Sequence, residues 1–487
     1  MNTFAKNLNT LASMKKTENR AVAYDSTGSA VYDMFSLGGA YRSRSVDDRH
    51  LLFANAFDEN PELALKCLFY LRDVRGGQGE RQFFRDCFGY VLNHNLISYD
   101  TARNLLKLLP EYGRWDDVIY FYNKVSKTID TIIINILISQ LSEDLISEYP
   151  SLLAKWLPSE NASNNDTKYI AKRLAKDFNM SAKKYRKTLS HLRNRIKVLE
   201  RLMSENRWDE IEFDKIPSKA GYLYRNAFAE REETKERYEE FMSSKDTKVN
   251  SSTLYPYEIV KPCFNYAGLV SDREIEVMQK YWDNLPNYLT GKNESAICLV
   301  DVSGSMWGTP IQVATSLGVY CAERLKGAFN NLFITFSSEP KAVRLVGRTV
   351  YDKIKNMEKA EWGMSTNLVK AMHLILKVAK NSKAEDIPKA LIIISDMEID
   401  EADRRNDFAS AMENVRAEFE EAGYTMPHMI YWNVDARHDT ILDKGKNVTC
   451  VSGFSPVLFE SVLSGKTGIE VMYDKLNSDR YKAIKIS

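Results

Sequence analysis

Asp301, Ser303 and Ser305 occupy alternate positions immediately after the apolar run Ile297-Cys298-Leu299-Val300. In an extended loop, residues i, i+2 and i+4 project the same way, so one carboxylate and two hydroxyls converge on a point. Hard oxygen donors of this kind suit Mg2+, or Mn2+ in its place. Mg2+ takes near-octahedral geometry, keeps several waters and uses only one or two protein carboxylates. Gly304 relieves crowding between the serines. Asp, Ser and Gly are also ordinary turn residues, and a plain turn remains the alternative reading of the run taken alone. Two other segments add donors: Ser365-Thr366-Asn367 precedes an amphipathic stretch, and the apolar run 391–394 ends in Ser395-Asp396. Both fall where an open α/β sheet gathers ligand residues, at the carboxyl ends of its strands.

The donor set predicts binding and no enzyme. It carries no second metal position and no neighbouring His or Lys base, and Ser303 lacks the G-x-S-x-G setting of a hydrolase nucleophile. With few charged ligands the ion stays electrophilic, and an acidic oxygen from a protein partner can complete its shell.

A second concentration is predominantly basic. Between Lys168 and Arg207, thirteen Lys or Arg meet three acidic residues. Ile170, Leu174 and Phe178, then Leu189, Leu192, Ile196 and Leu199, mark the buried stripe of two helices, which leaves the charges on the opposite faces. Lys172, Arg173, Lys176, Lys183, Lys184, Arg186, Lys187, Arg193 and Arg195 are the candidate RNA contacts, with Tyr169 and Tyr185 as stacking platforms. The alternative is a solvated face neutralised by the acidic segment 209–240 folded beside it. Arg72, Arg75 and Arg81 surround Gly76-Gly77-Gln78-Gly79, which lacks the spacing of a phosphate-binding loop and reads as a turn between helices with incidental arginines.

Positioning these residues takes two kinds of architecture. From residue 47 to about 245 the apolar residues recur at spacings of three and four, which predicts short paired helices. No fixed period is present, so the layout is either a HEAT-like solenoid of degenerate pairs or an irregular bundle. Beyond Gly291, short apolar runs alternate with longer amphipathic ones, the pattern of a doubly wound parallel sheet with crossover helices. The expected divisions are an N-terminal extension (1–46), a helical-repeat domain (47–290) and an α/β domain (291–487).

Hydrophobic residues make up 44% of the 487 and charged ones 27%, with a net charge of +1, so the chain is not of the disordered type. The six cysteines form no C-x-x-C pair and read as reduced, buried thiols. No run approaches the roughly 20 apolar residues of a membrane span, and residues 1–20 lack the pattern of a secretory signal. A monomeric cytoplasmic protein is the expectation.

The donor pattern resembles the metal-ion-dependent adhesion site of von Willebrand factor A domains, which have a Rossmann-like fold. The resemblance covers residues 295 to about 480. It implies that Asp301, Ser303 and Ser305 serve from the first loop, Thr366 from the second and Asp396 from the third. Over the whole chain, Leu71-Arg72-Asp73-Val74-Arg75-Gly76-Gly77, Gly113-Arg114-Trp115-Asp116-Asp117 and Leu254-Tyr255-Pro256-Tyr257-Glu258-Ile259, followed by such a domain, resemble the TROVE architecture of the Ro RNA-binding autoantigens. They resemble still more closely a viral and plant family of uncharacterised proteins with the same layout. The Ro resemblance implies a ring of helices that binds single-stranded RNA ends in its hole and small structured RNAs on its basic outer surface. No individual contact is carried over from it.

Overall fold

Ala296–Val300 is buried at all five positions, as are Ala390–Ser395 and His428–Asn433 at all six. Burial without alternation is what a parallel sheet covered on both faces requires. The computed structural model describes every residue except 1–13, 17–21, 266–269, 292–294, 337–338, 360–366, 384–385, 400–407, 438–440, 443–446 and 487. In chain order its strands are β1 (Met14–Lys16), β2 (Val22–Tyr24), β3 (Ala296–Val300), β4 (Leu332–Thr335), β5 (Ala342–Arg344), β6 (Ala390–Ser395), β7 (His428–Asn433) and β8 (Val448–Ser452). β1 and β2 form an antiparallel pair of their own. The other six make one mixed sheet in the order β5-β4-β3-β6-β7-β8, parallel except at the edge strand β5. The chain thus starts in the middle, winds out to β5, and returns to β6 on the other side of β3. Winding reverses between β3 and β6, where open α/β sheets place their ligands.

The preceding half is helical. Its helices start at short polar side chains that accept a hydrogen bond from the first turn: Ser45, Asn60, Ser98, Ser126, Asn164 and Ser181. Several stop at an asparagine in the left-handed conformation, Asn95, Asn123, Asn179 and Asn206, because asparagine tolerates positive φ better than other side chains with a Cβ. The apolar faces between these caps bury Phe69, Phe84, Phe88 and Tyr112, with Phe69 meeting the other three rings edge-on. Residues 199–242 gather a separate small core around Trp208, Phe228 and Tyr238.

Among the arginines of the glycine turn, Arg72 is structural. Arg72 is fully buried on Asp117 at 2.6 Å, and Asp117 also takes Arg85 at 2.8 Å. Removing one partner of such a pair costs about 3–5 kcal/mol, because a buried charge is left unmatched. Gly77 packs so close that a Cβ there would lie 2.0 Å from the Tyr70 carbonyl oxygen. Next to it, Asp73 accepts from the Arg480 guanidinium at 2.7 Å and the Tyr481 hydroxyl at 2.9 Å, tying the C-terminal segment to the helical half. At the other end, Gly39 N–H donates to Ser452 Oγ at 3.0 Å, and the Tyr32 hydroxyl accepts from Cys450 N–H at 2.9 Å. Residues 32–39 are therefore fastened to β8, and one continuous apolar core runs through both halves.

Candidate functional site

Register places the acidic residues. Val300 pairs with Ile394, and Asp301 N–H donates to the Ile394 carbonyl at 3.0 Å, so Asp301 and Ser395 leave the sheet side by side with Asp396 one step further. Asp301 is held on both oxygens: Oδ1 accepts from Ser303 N–H at 2.8 Å and Oδ2 from the Ser395 hydroxyl at 2.6 Å. The Ser303 and Ser305 hydroxyls lie 3.0 Å apart, as convergent donors must. Asp396 Oδ1 accepts from Glu398 N–H at 3.2 Å. Its Oδ2 is buried with no hydrogen-bond partner among the described residues, and the nearest cation, Arg437, stands 3.9 Å away. Between Asp396 and Glu398, Met397 adopts φ +66°, a costly conformation for a side chain of that size, with its N–H on Ser395 Oγ at 3.0 Å.

Both carboxylates are withdrawn from water, at 0% and 1% exposure. Burial, and then the charge of Asp301, push the Asp396 carboxyl up to about 6; Ser305 and Arg437 favour its charged form without hydrogen-bonding to Oδ2. Two buried like charges, an orphaned oxygen and two converged hydroxyls fit a hard divalent cation. Among the described residues no group of three or more His, Cys, Asp and Glu is placed to hold a metal, so the donors here are two carboxylates supplemented by hydroxyls. Thr366 lies outside the described residues.

Reading the sequence left out three neighbours of this site. Ser395, which orients Asp301, was visible as the residue before Asp396. Arg437, which donates to the Ser305 carbonyl, is 132 positions away and left no local signal. Trp307 is 73% exposed beside the loop, and sequence alone does not separate an exposed tryptophan from a buried one.

The nine basic candidates divide into two groups. Lys172, Lys176, Lys183, Lys184 and Lys187 lie exposed on the helices Asn165–Asp177 and Ala182–Arg195, with no ion-pair partner among the described residues. Arg173 is exposed beside them, near the Tyr169 hydroxyl at 3.4 Å, and Tyr169 is itself exposed. Arg193 and Arg195, also in the RNA set, turn their guanidinium groups onto the chain itself. Arg193 spends its donors on the Ala154 and Leu157 carbonyls and the Ser159 hydroxyl, and Arg195 spends its own on the carbonyls of Asp144, Leu145 and Ser147. Each satisfies chain ends that have no backbone partner. Arg186 is paired with Glu160 at 2.7 Å. Tyr185 is buried with its hydroxyl on the Pro158 carbonyl at 2.9 Å, so it supports the helix and offers no stacking face. The acidic segment neutralises only the far end of the run, where Lys197 meets Glu212 and Arg207 meets Glu210. A cleft of about 630 Å³ is lined by Lys155, Arg186, Arg193 and Arg201 together with Glu160, Glu200 and Glu205, so its charges nearly balance. Among the described residues no helix is long and apolar enough to cross a membrane.

Comparison with known proteins gives matches on both halves. A family model described as a domain of unknown function, DUF2828, matches residues 17–105 and 137–293, half of the chain. A second, DUF7788, also described as a domain of unknown function, matches residues 295–483. An uncharacterised protein, L728, of Acanthamoeba polyphaga mimivirus is 30% identical, with 94% of this chain and 86% of the viral protein covered.

Proposed function

The chain belongs to the DUF2828 family, and from that premise we propose a non-catalytic RNA-binding protein with a Mg2+-dependent interaction site in a von Willebrand factor A type domain. The observation that carries the RNA reading is the set of five exposed lysines, Lys172, Lys176, Lys183, Lys184 and Lys187, on two successive helices, none with an ion-pair partner among the described residues. Lysines left open along one face are what a phosphate backbone recruits, and Arg173 with Tyr169 offers a cation and an aromatic face beside them. The resemblance of the helical half to TROVE repeats agrees with single-stranded or small structured RNA as the ligand. Sequestration or scaffolding in the cytoplasm by a monomer is the corresponding role. Filter binding of labelled single-stranded and small structured RNAs across a salt series tests it. Affinity should fall steeply with salt, and absence of binding at low salt would sink the proposal.

The metal reading rests on Asp301 and Asp396, with Ser303, Ser305 and, by the resemblance, Thr366 completing the set. Mg2+ or Mn2+ there supplies an electrophilic position for an acidic oxygen. The protein's own part is to hold Asp301 through Ser395 and Ser303 N–H and to exclude water from Asp396. A second reading, an assembly scaffold without RNA, draws on the orphaned Asp396 Oδ2 alone. Nuclease-sensitive absorbance at 260 nm in the purified protein favours the first, and a protein partner released by chelator favours the second.

A further inference from the structure

The cleft of about 630 Å³ in the helical half has the size of a small-ligand site, and its lining combines apolar Leu189 and Val198 with nearly balanced charges. Arg186 and Ser190 line it from the helix Ala182–Arg195, and Lys183 and Lys187 each precede one of them by three residues. Residues three apart are neighbours on a helix surface, so the cleft opens beside the exposed lysines.

Within the cleft, the Glu160 side chain is only 6% exposed, whereas its partner Arg186 keeps 48%. One hydrogen bond joins them, from Arg186 Nη1 to Glu160 Oε2 at 2.7 Å. Glu160 Oε1 and the other two guanidinium nitrogens of Arg186 make no hydrogen bond among the described residues. The carboxylate disfavours a phosphate here and the guanidinium disfavours an amine, so the pair selects a neutral ligand that offers donors and acceptors side by side. Guanine does so. Its N1–H and N2 amine donate in parallel to a carboxylate, and its O6 and N7 accept in parallel from a guanidinium. O6 adjoins N1, so the two edges are contiguous, as Glu160 and Arg186 are. Adenine and cytosine each set an acceptor beside their amine, and uracil sets its one N–H between two acceptors, so none of them offers a carboxylate two donors.

We propose that this cleft is a base pocket for an unpaired guanosine of the bound RNA, read by Glu160 on its Watson–Crick edge and by Arg186 on O6 and N7. Lys183 and Lys187 meet the phosphates on either side of it. This rests on the RNA reading above, and it adds base specificity to a face that recognises charge alone.

The test uses the full chain and oligouridines that carry one central guanosine, adenosine, cytidine, inosine or 7-deazaguanosine, with affinities read by fluorescence anisotropy at one salt concentration. The guanosine oligomer should bind about tenfold or more tighter than those with adenosine or cytidine, as a bidentate pair discriminates. Inosine, which lacks the N2 amine, and 7-deazaguanosine, which lacks N7, should fall between. Glu160→Gln should erase the advantage of guanosine over inosine and keep that over 7-deazaguanosine. Arg186→Lys should do the opposite. A merely structural role for the pair would not separate the two edges. Equal binding of all the oligomers, or a guanosine preference that survives both variants, overturns the pocket and leaves the lysine face standing. Guanosine monophosphate that binds as tightly as the guanosine oligomer overturns the RNA assignment in favour of a free nucleotide. A wild-type chain that binds no oligomer at low salt removes the pocket and the RNA reading together.

Discussion

Asp301 and Asp396 stand side by side at the carboxyl ends of β3 and β6, out of contact with water, whereas Lys172, Lys176, Lys183, Lys184 and Lys187 carry their excess charge into solvent. A buried imbalance destabilises the fold, since desolvation and like charge both oppose ionisation. It persists where something offsets it. An exposed excess costs little, because water and salt screen it over about 8 Å at physiological ionic strength. It sets a field and not a geometry. On the proposed function, the first region specifies a ligand down to its charge and hardness, and the second specifies only its sign.

The largest effect expected from this contrast is on metal binding. Asp301→Ala should weaken Mg2+ at least about 100-fold by calorimetry, since one of two charged ligands is gone. Alanine at all five lysines should leave Mg2+ affinity unaltered. Equal losses in the two variants would erase the distinction between built site and field.

Next in size is the dependence of the metal-free protein on pH. Asp396 titrates near 6 in the folded chain, above its ordinary 3.8. Below 3.8 the carboxyl is protonated in both folded and unfolded states. Between 3.8 and 6 the unfolded chain ionises while the folded one keeps its proton, so stability falls as pH rises and then levels off. The loss is on the order of 3 kcal/mol, at 1.36 kcal/mol per unit. Urea denaturation in EDTA should show the decline between pH 4 and 6, Asp396→Asn should flatten it, and Mg2+ at pH 7 should restore the lost stability. A wild-type profile already flat without metal means that Asp301 and Asp396 do not repel each other as their burial requires.

These regions were legible from the sequence to different degrees, for the same physical reason. The proposed metal loop is local: Asp301, Ser303 and Ser305 lie within five residues, with Ser305 turned towards Ser303 by the helical turn Gly304–Met306, and the apolar runs before Asp301 and Asp396 give away the strands that carry them. Adjacency of β3 and β6 follows from the winding of such sheets. An arginine's use is not local. Arg193 and Arg195 look like their lysine neighbours in sequence, yet they reach carbonyls 36 to 51 residues away because another helix ends there. Asp73, Arg72 and Gly77 likewise look like a plain turn, and their partners Arg480, Asp117 and Tyr70 show it to be a junction. Tyr185 has the composition of a stacking residue and the position of a core one.

Arg195→Ala sharpens the comparison within the basic helices. It leaves the carbonyls of Asp144, Leu145 and Ser147 without this donor; because they lie part-buried or exposed, water replaces it in part, and at about 0.5–1.5 kcal/mol for a lost hydrogen bond the urea midpoint should fall. RNA affinity of the folded variant should match the wild type. Weakened RNA binding at unchanged stability would return Arg195 to the interface.

Alanine at Lys172, Lys176, Lys183, Lys184 and Lys187 together should do the reverse. Their ammonium groups are solvated and have no ion-pair partner among the described residues, so the stability change should stay within about 0.5 kcal/mol, less if repulsion among them is relieved. If the face tracks a single strand, each lost phosphate contact should lower the slope of log affinity against log salt by about 0.7, for a total near 3 when most of the five engage. The slope discriminates where a single affinity does not, because it counts released counterions and is indifferent to small changes in shape. An unaltered slope with intact RNA binding would place the interface elsewhere on the helices and leave this lysine row a solvated surface.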